Sequence, residues 1–395
     1  MRRLEKLELT MRTANFVFGI LLVACTACDM MPSRPVKLDV PPEPVGDEIA
    51  ACGHFVHTGA PVVLWSAAPY YNAYPLVPDP KRQIPAPDSA TTSERASQAS
   101  GAERALNATS PSSSLSSSSR GEHDTLTSGD GREPLQPGGG PALVTAYQPG
   151  RMLKSADGSV RARVEPDCAD VAELAGVVDQ LVLHFDVCGV SRSCFQVLRD
   201  RALSVHFLLD VDGTIYQTLD LREQAYHATK ANARSIGIEI ANLGAYPPSD
   251  HPVLDEWYKR DFEGPYIVLP ERLQDGGVRI PGFVARPART ELVHGEIQGQ
   301  DLVQYDFTPE QYESLEKLTV ALCRMFPKIA PDAPRDAAGA VRKEALSDDE
   351  FAAFHGILGH YHVQKNKNDP GPAFDWETFL ARVKTGLAKT TEAAP

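Results

Sequence analysis

The alternation of apolar and polar positions divides the chain unevenly: from residue 142 onward it is patterned, and before that most of it is not. Residues 179–186 (DQLVLHFD) form a short Leu/Val-rich run of buried-strand type, and residues 193–202 (SCFQVLRDRA) behind it have helix-like composition. In residues 204–220 (SVHFLLDVDGTIYQTLD) an Asp212-Gly213 turn separates two apolar runs, which predicts a β-hairpin. Residues 235–242 (SIGIEIAN) read as a β-branched strand broken by an acid at Glu239. Thr308-Pro309-Glu310-Gln311 supplies an N-cap, a proline at the first helical position and a capping glutamine. Tyr312, Leu315, Leu318, Leu322 and Phe326 then recur at helical spacing, which places Cys323 beside an apolar face. The capping signature returns at residues 347–350, and a last helix starting near Asp375 carries Trp376, Phe379, Val383 and Leu387 on one face. Strands interleaved with helices predict an α/β domain with a mixed central β-sheet flanked by helices.

The remaining stretches set the domain plan. Arg2, Arg3 and Arg12 precede an apolar run, Phe16 to Ala24, too short to span a bilayer, so residues 1–24 read as an export signal. It ends in Leu22-Val23-Ala24-Cys25, which resembles the lipobox of bacterial lipoproteins, where the cysteine is acylated and becomes the new N-terminus. Met11 is an equally good start, and Cys28 a weaker acceptor. The expected location is the periplasmic face of the bacterial outer membrane, with the lipid membrane as a partner. Residues 25–52 suit a tether, and 53–78 are apolar and aromatic enough to pack on the main domain. Residues 79–141, with SPSSSLSSSS and PGGGP, predict a disordered linker. The folded domain then spans 142–386, with a Pro/Gly-rich insertion of irregular structure at 246–306 and a tail at 387–395.

Composition narrows the class. A hydrophobic content of 42% supports a real core, and 39 basic against 52 acidic residues, a net charge of −13, excludes a nucleic-acid binder that works by neutralising phosphates. With Cys25 set aside, six cysteines remain in what the signal implies is an oxidising compartment, with no CxxC pair beyond the signal boundary.

Catalytic zinc takes three protein ligands, commonly histidine and carboxylate, and leaves a fourth position for water. His184 at a strand end, with His360 and Asp369 in GHYHVQKNKNDPGPAFDW (359–376), supplies such a set. A strand-end histidine is, taken alone, more often packing. Hydrolysis also needs a group to handle the water's proton and a donor for the oxyanion. Glu239, costly in a core unless used or paired, meets the first need. Lys367 meets the second; a solvent-facing acid on an edge strand and a surface lysine are the plainer readings.

Six segments, in order, carry a family resemblance: LVLHFD, SVHFLLDVDGTIYQ, AYHA, NARSIGIEIAN, FTPEQYESL and GHYHVQKNKNDPGPAFDW. From about residue 179 to 383 the chain resembles the type 2 N-acetylmuramoyl-L-alanine amidases, the zinc group that shares its fold with peptidoglycan recognition proteins. The resemblance implies that His184, His360 and Asp369 bind Zn2+, that Glu239 activates water and that Lys367 stabilises the oxyanion. It places His227 of AYHA in the substrate cleft, gives Asn232 a turn-shaping role and His206 a packing role, and implies a disulfide between Cys188 and Cys194. The implied substrate is peptidoglycan or its muropeptides; the alternative is a non-catalytic peptidoglycan-binding lipoprotein. Three departures bear on this. Phe185-Asp186 follows the first ligand where relatives often carry histidine or threonine; the interval from His360 to Lys367 is one residue short, which makes His362 an alternative ligand; and the insertion stands ready to wall the cleft.

Overall fold

The computed structural model describes residues 46–81, 142–155 and 157–391; the signal, Cys25, most of the tether and nearly all of the low-complexity linker lie outside these. Strands are numbered here for the central sheet and two outlying hairpins: β1 Gly46–Ala51, β2 His54–Leu64, β3 Gln180–Phe185, β4 Phe207–Leu209, β5 Ile215–Gln217 and β6 Ser235–Ile240. The hairpins are β7 Tyr258–Asp261 with β8 Gly264–Ile267, and β9 Val293–Ile297 with β10 Gln300–Gln304; β11 is Gly356–Gly359. The helices are α1 Val171–Val177, α2 Ser191–Asp200, α3 Pro252–Trp257, α4 Pro309–Met325, α5 Asp348–Ala353, α6 His360–Val363 and α7 Trp376–Thr391.

Seven strands form a mixed sheet in the order β1-β2-β5-β4-β6-β3-β11. β4, β6, β3 and β11 run parallel; β5 and β2 oppose them, and β1 is antiparallel to β2 at the edge. The pleat, with its period of two, decides what each face does. Leu181, Leu183 and Phe185 of β3 and Ile236, Ile238 and Ile240 of β6 pack against Leu315, Leu318 and Leu322 of α4 and Phe379 and Val383 of α7. The intervening residues therefore face the other way: Val182 and His184 on β3, Gly237 and Glu239 on β6. On that side Val182 joins Leu358 and Phe351 in a separate cluster. In β6 the alternation is strict, with Ser235, Gly237 and Glu239 against Ile236, Ile238 and Ile240, so one face packs on the helices and the other carries the site.

The capping boxes expected at Thr308 and Ser347 are both formed. Three expectations shift. The tether ends before residue 52, because β1 adds an edge strand whose Ile49 and Ala51 are fully buried; its opening Asp47-Glu48 disguised it as linker. The insertion 246–306 is not irregular but holds α3 and two hairpins, whose strands of four or five residues, one with Pro265, leave little period-two signal. The backbones of Tyr246 and Val303 pair at 3.0 and 2.7 Å and tie the insertion's two ends together, and Tyr258 stacks on Tyr305 at 4.0 Å between ring centroids. The last helix also continues past 386, to Thr391.

Candidate active site

Sheet register sets three chemically active positions side by side at the C-terminal ends of β6, β3 and β11. Glu239 is the cross-strand partner of His184, and His360 follows Gly359, the partner of Leu183. Sites in open α/β sheets gather at this end, where loops leave the strands. Asp369 arrives from the loop after α6, its carbonyl accepting from Tyr361 N at 3.2 Å.

The Nδ1 atoms of His184 and His360 lie 3.0 Å apart, and Asp369 Oδ2 is 2.8 Å from the first and 3.0 Å from the second. All three residues are buried, and among the described residues they are the His/Cys/Asp/Glu group whose donor atoms converge enough to share one ion. Hydrogen bonds on the outer side of each ring fix its proton. Ser235 Oγ donates to Ala231 O at 2.7 Å, so it accepts from His227 Nε2 at 3.3 Å. His227 Nδ1 is then an acceptor and takes the Nε2–H of His184 at 3.0 Å. His360 donates its Nε2–H to Gln364 Oε1 at 2.7 Å. Both Nδ1 lone pairs thus face each other and a carboxylate oxygen. Burial, with His360 beside it, depresses His184 to about 4, which keeps its ring neutral at pH 7. Three converging electron-pair donors repel unless a cation lies among them. Ligand bonds of ~2.0–2.2 Å in a tetrahedron put ligand atoms roughly 3.3 Å apart, so relaxation by a few tenths of an ångström fits zinc.

His362 is turned away from this point. Its Nδ1 accepts from Gly359 N at 2.9 Å and its Nε2 donates to Arg342 O at 2.8 Å. His206 also stays out, with Nδ1 accepting from Gly237 N at 3.1 Å, as a packing residue does.

A cavity of about 220 Å³ opens on the site, lined by Glu239, Lys367 and His227 and walled by Tyr246, Gln300 and Leu302 of the insertion. Glu239 Oε2 is buried with no hydrogen-bond partner among the described residues. Burial first, then the carboxylates of Asp369 and Asp186, push its pKa well above the usual range. Lys367 is half-buried and makes no ion pair among the described residues.

His227 is held where it is by its neighbours. Asn232 Oδ1 accepts from the amides of His227 and Ala228 at 3.2 and 2.7 Å, which shapes the turn. A Cβ at Gly237 would lie 2.7 Å from the imidazole Cγ and Nδ1, so this strand position has room for glycine alone. Gly237→Ala is therefore expected to displace His227 and free the His184 ring. Loss of such an outer hydrogen bond weakens metal binding about 10- to 100-fold, measurable by competition against a chromophoric chelator, with the circular dichroism of the fold retained.

Sequence reasoning missed the residues that hold the site loop. Gln298, in the β9–β10 turn, donates from Nε2 to the carbonyls of Gln364 at 2.7 Å and Lys367 at 2.9 Å. Gln304 Nε2 donates to Pro370 O at 3.1 Å, and its Oε1 accepts from Ala373 N at 3.0 Å. Both lie more than 60 residues from their partners, so no local pattern marks them. Gln364, four residues after His360, was the one within reach of a local signal.

Cys188 and Cys194, which the resemblance pairs, stand as free thiols, as do Cys52, Cys168 and Cys323. Asp186 accepts from Cys188 N at 2.9 Å and Gly189 N at 3.0 Å and so pins the turn after β3.

Part of the chain is similar to known proteins. Residues 175–260 match the family described as N-acetylmuramoyl-L-alanine amidase. Two curated relatives, both 1,6-anhydro-N-acetylmuramyl-L-alanine amidase AmpD, are 27% identical: that of Haemophilus influenzae over 154 residues, 36% of this chain and 69% of the relative, and that of Enterobacter cloacae over 165 residues, 38% and 73%. A solved selenomethionine AmpD derivative aligns with 53% of this chain and 86% of its own at 18% identity, with a TM-score of 0.27, too low to bear on the fold.

Proposed function

We propose, from the premise that this chain belongs to the type 2 N-acetylmuramoyl-L-alanine amidases, that it is a zinc-dependent hydrolase of the amide between N-acetylmuramic acid and L-alanine in peptidoglycan or muropeptides. The observation that carries the zinc dependence is the convergence of two unprotonated Nδ1 atoms and one carboxylate oxygen beside a half-buried glutamate whose Oε2 is buried with no hydrogen-bond partner among the described residues. His184, His360 and Asp369 would hold the ion. Bound there, zinc supplies Lewis acidity, which polarises a carbonyl and brings the pKa of water toward about 7.

The chain's own residues do the rest. Glu239, in a site that disfavours its charge, takes the proton of the attacking water as the C–O bond forms. It then returns that proton to the alanine nitrogen as the C–N bond breaks, so the amine leaves neutral. Lys367 donates to the oxygen of the former carbonyl while it carries negative charge. His227 and Gln364 keep the two imidazoles in the tautomer that presents Nδ1.

The test is the full chain, loaded with zinc, on purified sacculi and on soluble 1,6-anhydro muropeptides, with new L-alanine amino termini counted. Release from either substrate is expected and fixes the preferred one. Tight sacculus binding with no zinc retained and no product would favour the non-catalytic peptidoglycan-binding lipoprotein instead. Export and acylation at Cys25 remain part of the proposal; the mass of the N-terminal peptide from membranes, with and without Cys25→Ala, tests them.

A further inference from the structure

We propose that Cys52 and Cys168 form an intramolecular disulfide that ties the β1–β2 hairpin to the segment leading into α1. Their Sγ atoms lie 3.8 Å apart across a sequence separation of 116 residues. Both residues are buried, at 3% and 7% exposure. A disulfide needs about 2.05 Å between sulfurs, an approach of under ~2 Å that side-chain rotation supplies.

The two backbones are docked independently of any bond. Cys52 and Gly53 form the hairpin turn with φ of 51° and 77°, and Asp220 clamps it, accepting from Cys52 N at 2.8 Å and Gly53 N at 3.0 Å. Opposite, Ala169 O pairs with His54 Nε2 at 2.8 Å, and Asp170 caps α1 through Ala172 N. Both thiols also reach Asp170 O, at 3.7 and 3.3 Å. Residue choice points the same way. A left-handed position in a two-residue hairpin turn favours Asn, Asp or Gly, so a cysteine at 52 is a poor turn former and needs another reason to stand there. Cys323, by contrast, is buried in the core and makes no thiol hydrogen bond among the described residues.

The oxidant is a disulfide, either of glutathione or of a protein dithiol catalyst. One cysteine thiolate attacks it, forming a mixed disulfide and releasing one thiol; the second cysteine attacks that bond, leaving Cys52–Cys168 joined and a second thiol released. Two protons and two electrons thus pass from the chain to the oxidant. Burial, and then Cys168 nearby, push the Cys52 thiol up to about 12, so thiolate is scarce once the hairpin has docked and the bond forms during folding. This inference does not depend on the amidase reading.

Full-length protein, reduced and denatured, is refolded in a glutathione redox buffer, alkylated, digested and mapped by mass spectrometry without reduction. The expected product is the Cys52 peptide linked to the Cys168 peptide, with Cys323 alkylated under denaturant. Closing a loop of over 100 residues should also make the oxidised protein melt about 5–15 °C above the reduced one, a difference that vanishes in the Cys52→Ser/Cys168→Ser variant. Recovery of both cysteines as alkylated thiols after refolding, or of Cys52 linked elsewhere, overturns the proposal. The peptide map needs no variant, so it decides the matter even where the double variant fails to fold.

Discussion

Glu239→Gln is expected to abolish turnover while leaving zinc binding unchanged. Glutamine keeps the shape and one acceptor but has no basic oxygen to take a proton from water, and a general acid–base group contributes about 10²- to 10⁴-fold in rate. Two observations separate this residue from a structural one. It is the cross-strand neighbour of His184 without belonging to the converging donor set, so its loss removes chemistry and not a ligand. Its Oε2 is buried with no hydrogen-bond partner among the described residues, so the substitution breaks no such bond of that atom. Folding stability should accordingly hold or rise, since an isolated carboxylate in a buried site is a cost that the fold carries elsewhere. The check is kcat on a muropeptide beside zinc stoichiometry and Tm. A variant with near-normal kcat would remove Glu239 from the reaction, whereas one that lost both zinc and activity would recast it as a ligand.

The second large effect concerns the metal itself. Asp369→Ala should lower zinc affinity by more than the roughly 10- to 100-fold seen when outer-shell partners are lost, because it removes one of three donors and the site's one carboxylate ligand. Activity should fall with it to the level of the chelator-treated wild type. Thermal melting gives a reading that does not depend on catalysis. A ligand at about 1,000 times its dissociation constant stabilises a fold by roughly 4 kcal/mol, which for a domain of this size is about 10 °C. Wild type should show that rise on adding zinc, and Asp369→Ala should show little. Stoichiometric zinc in the variant would place the ion elsewhere; no zinc-dependent rise in the wild type would remove the zinc reading.

Segments outside the matched region 175–260 are not passive additions. The N-terminal hairpin extends the sheet by two strands, and the insertion's β9–β10 hairpin braces the loop that carries Lys367 and Asp369. Truncation to residues 142–386 would strip the two N-terminal strands.

What the sequence determined by itself was local. Capping boxes at Thr308 and Ser347, the Asp212-Gly213 turn, and the type of the core strands β3 and β6 and of helices α4 and α7 were legible because caps, turns and apolar spacing act within a few residues of themselves. The residue types of the site were legible too, since His, Asp, Glu and Lys stand out in or beside apolar runs. Tertiary structure alone decided which of them meet. His184 and His360 are 176 positions apart, and their approach depends on β11 pairing beside β3 in one register; a slip of one residue would turn His184 to the helix-covered face. The same holds for the rejection of His362, the proton placement imposed by His227 and Gln364, and the Cys52–Cys168 contact. Each is a contact between distant segments, and the free energy that selects it comes from burying the whole sheet between its layers, which no short window of sequence contains.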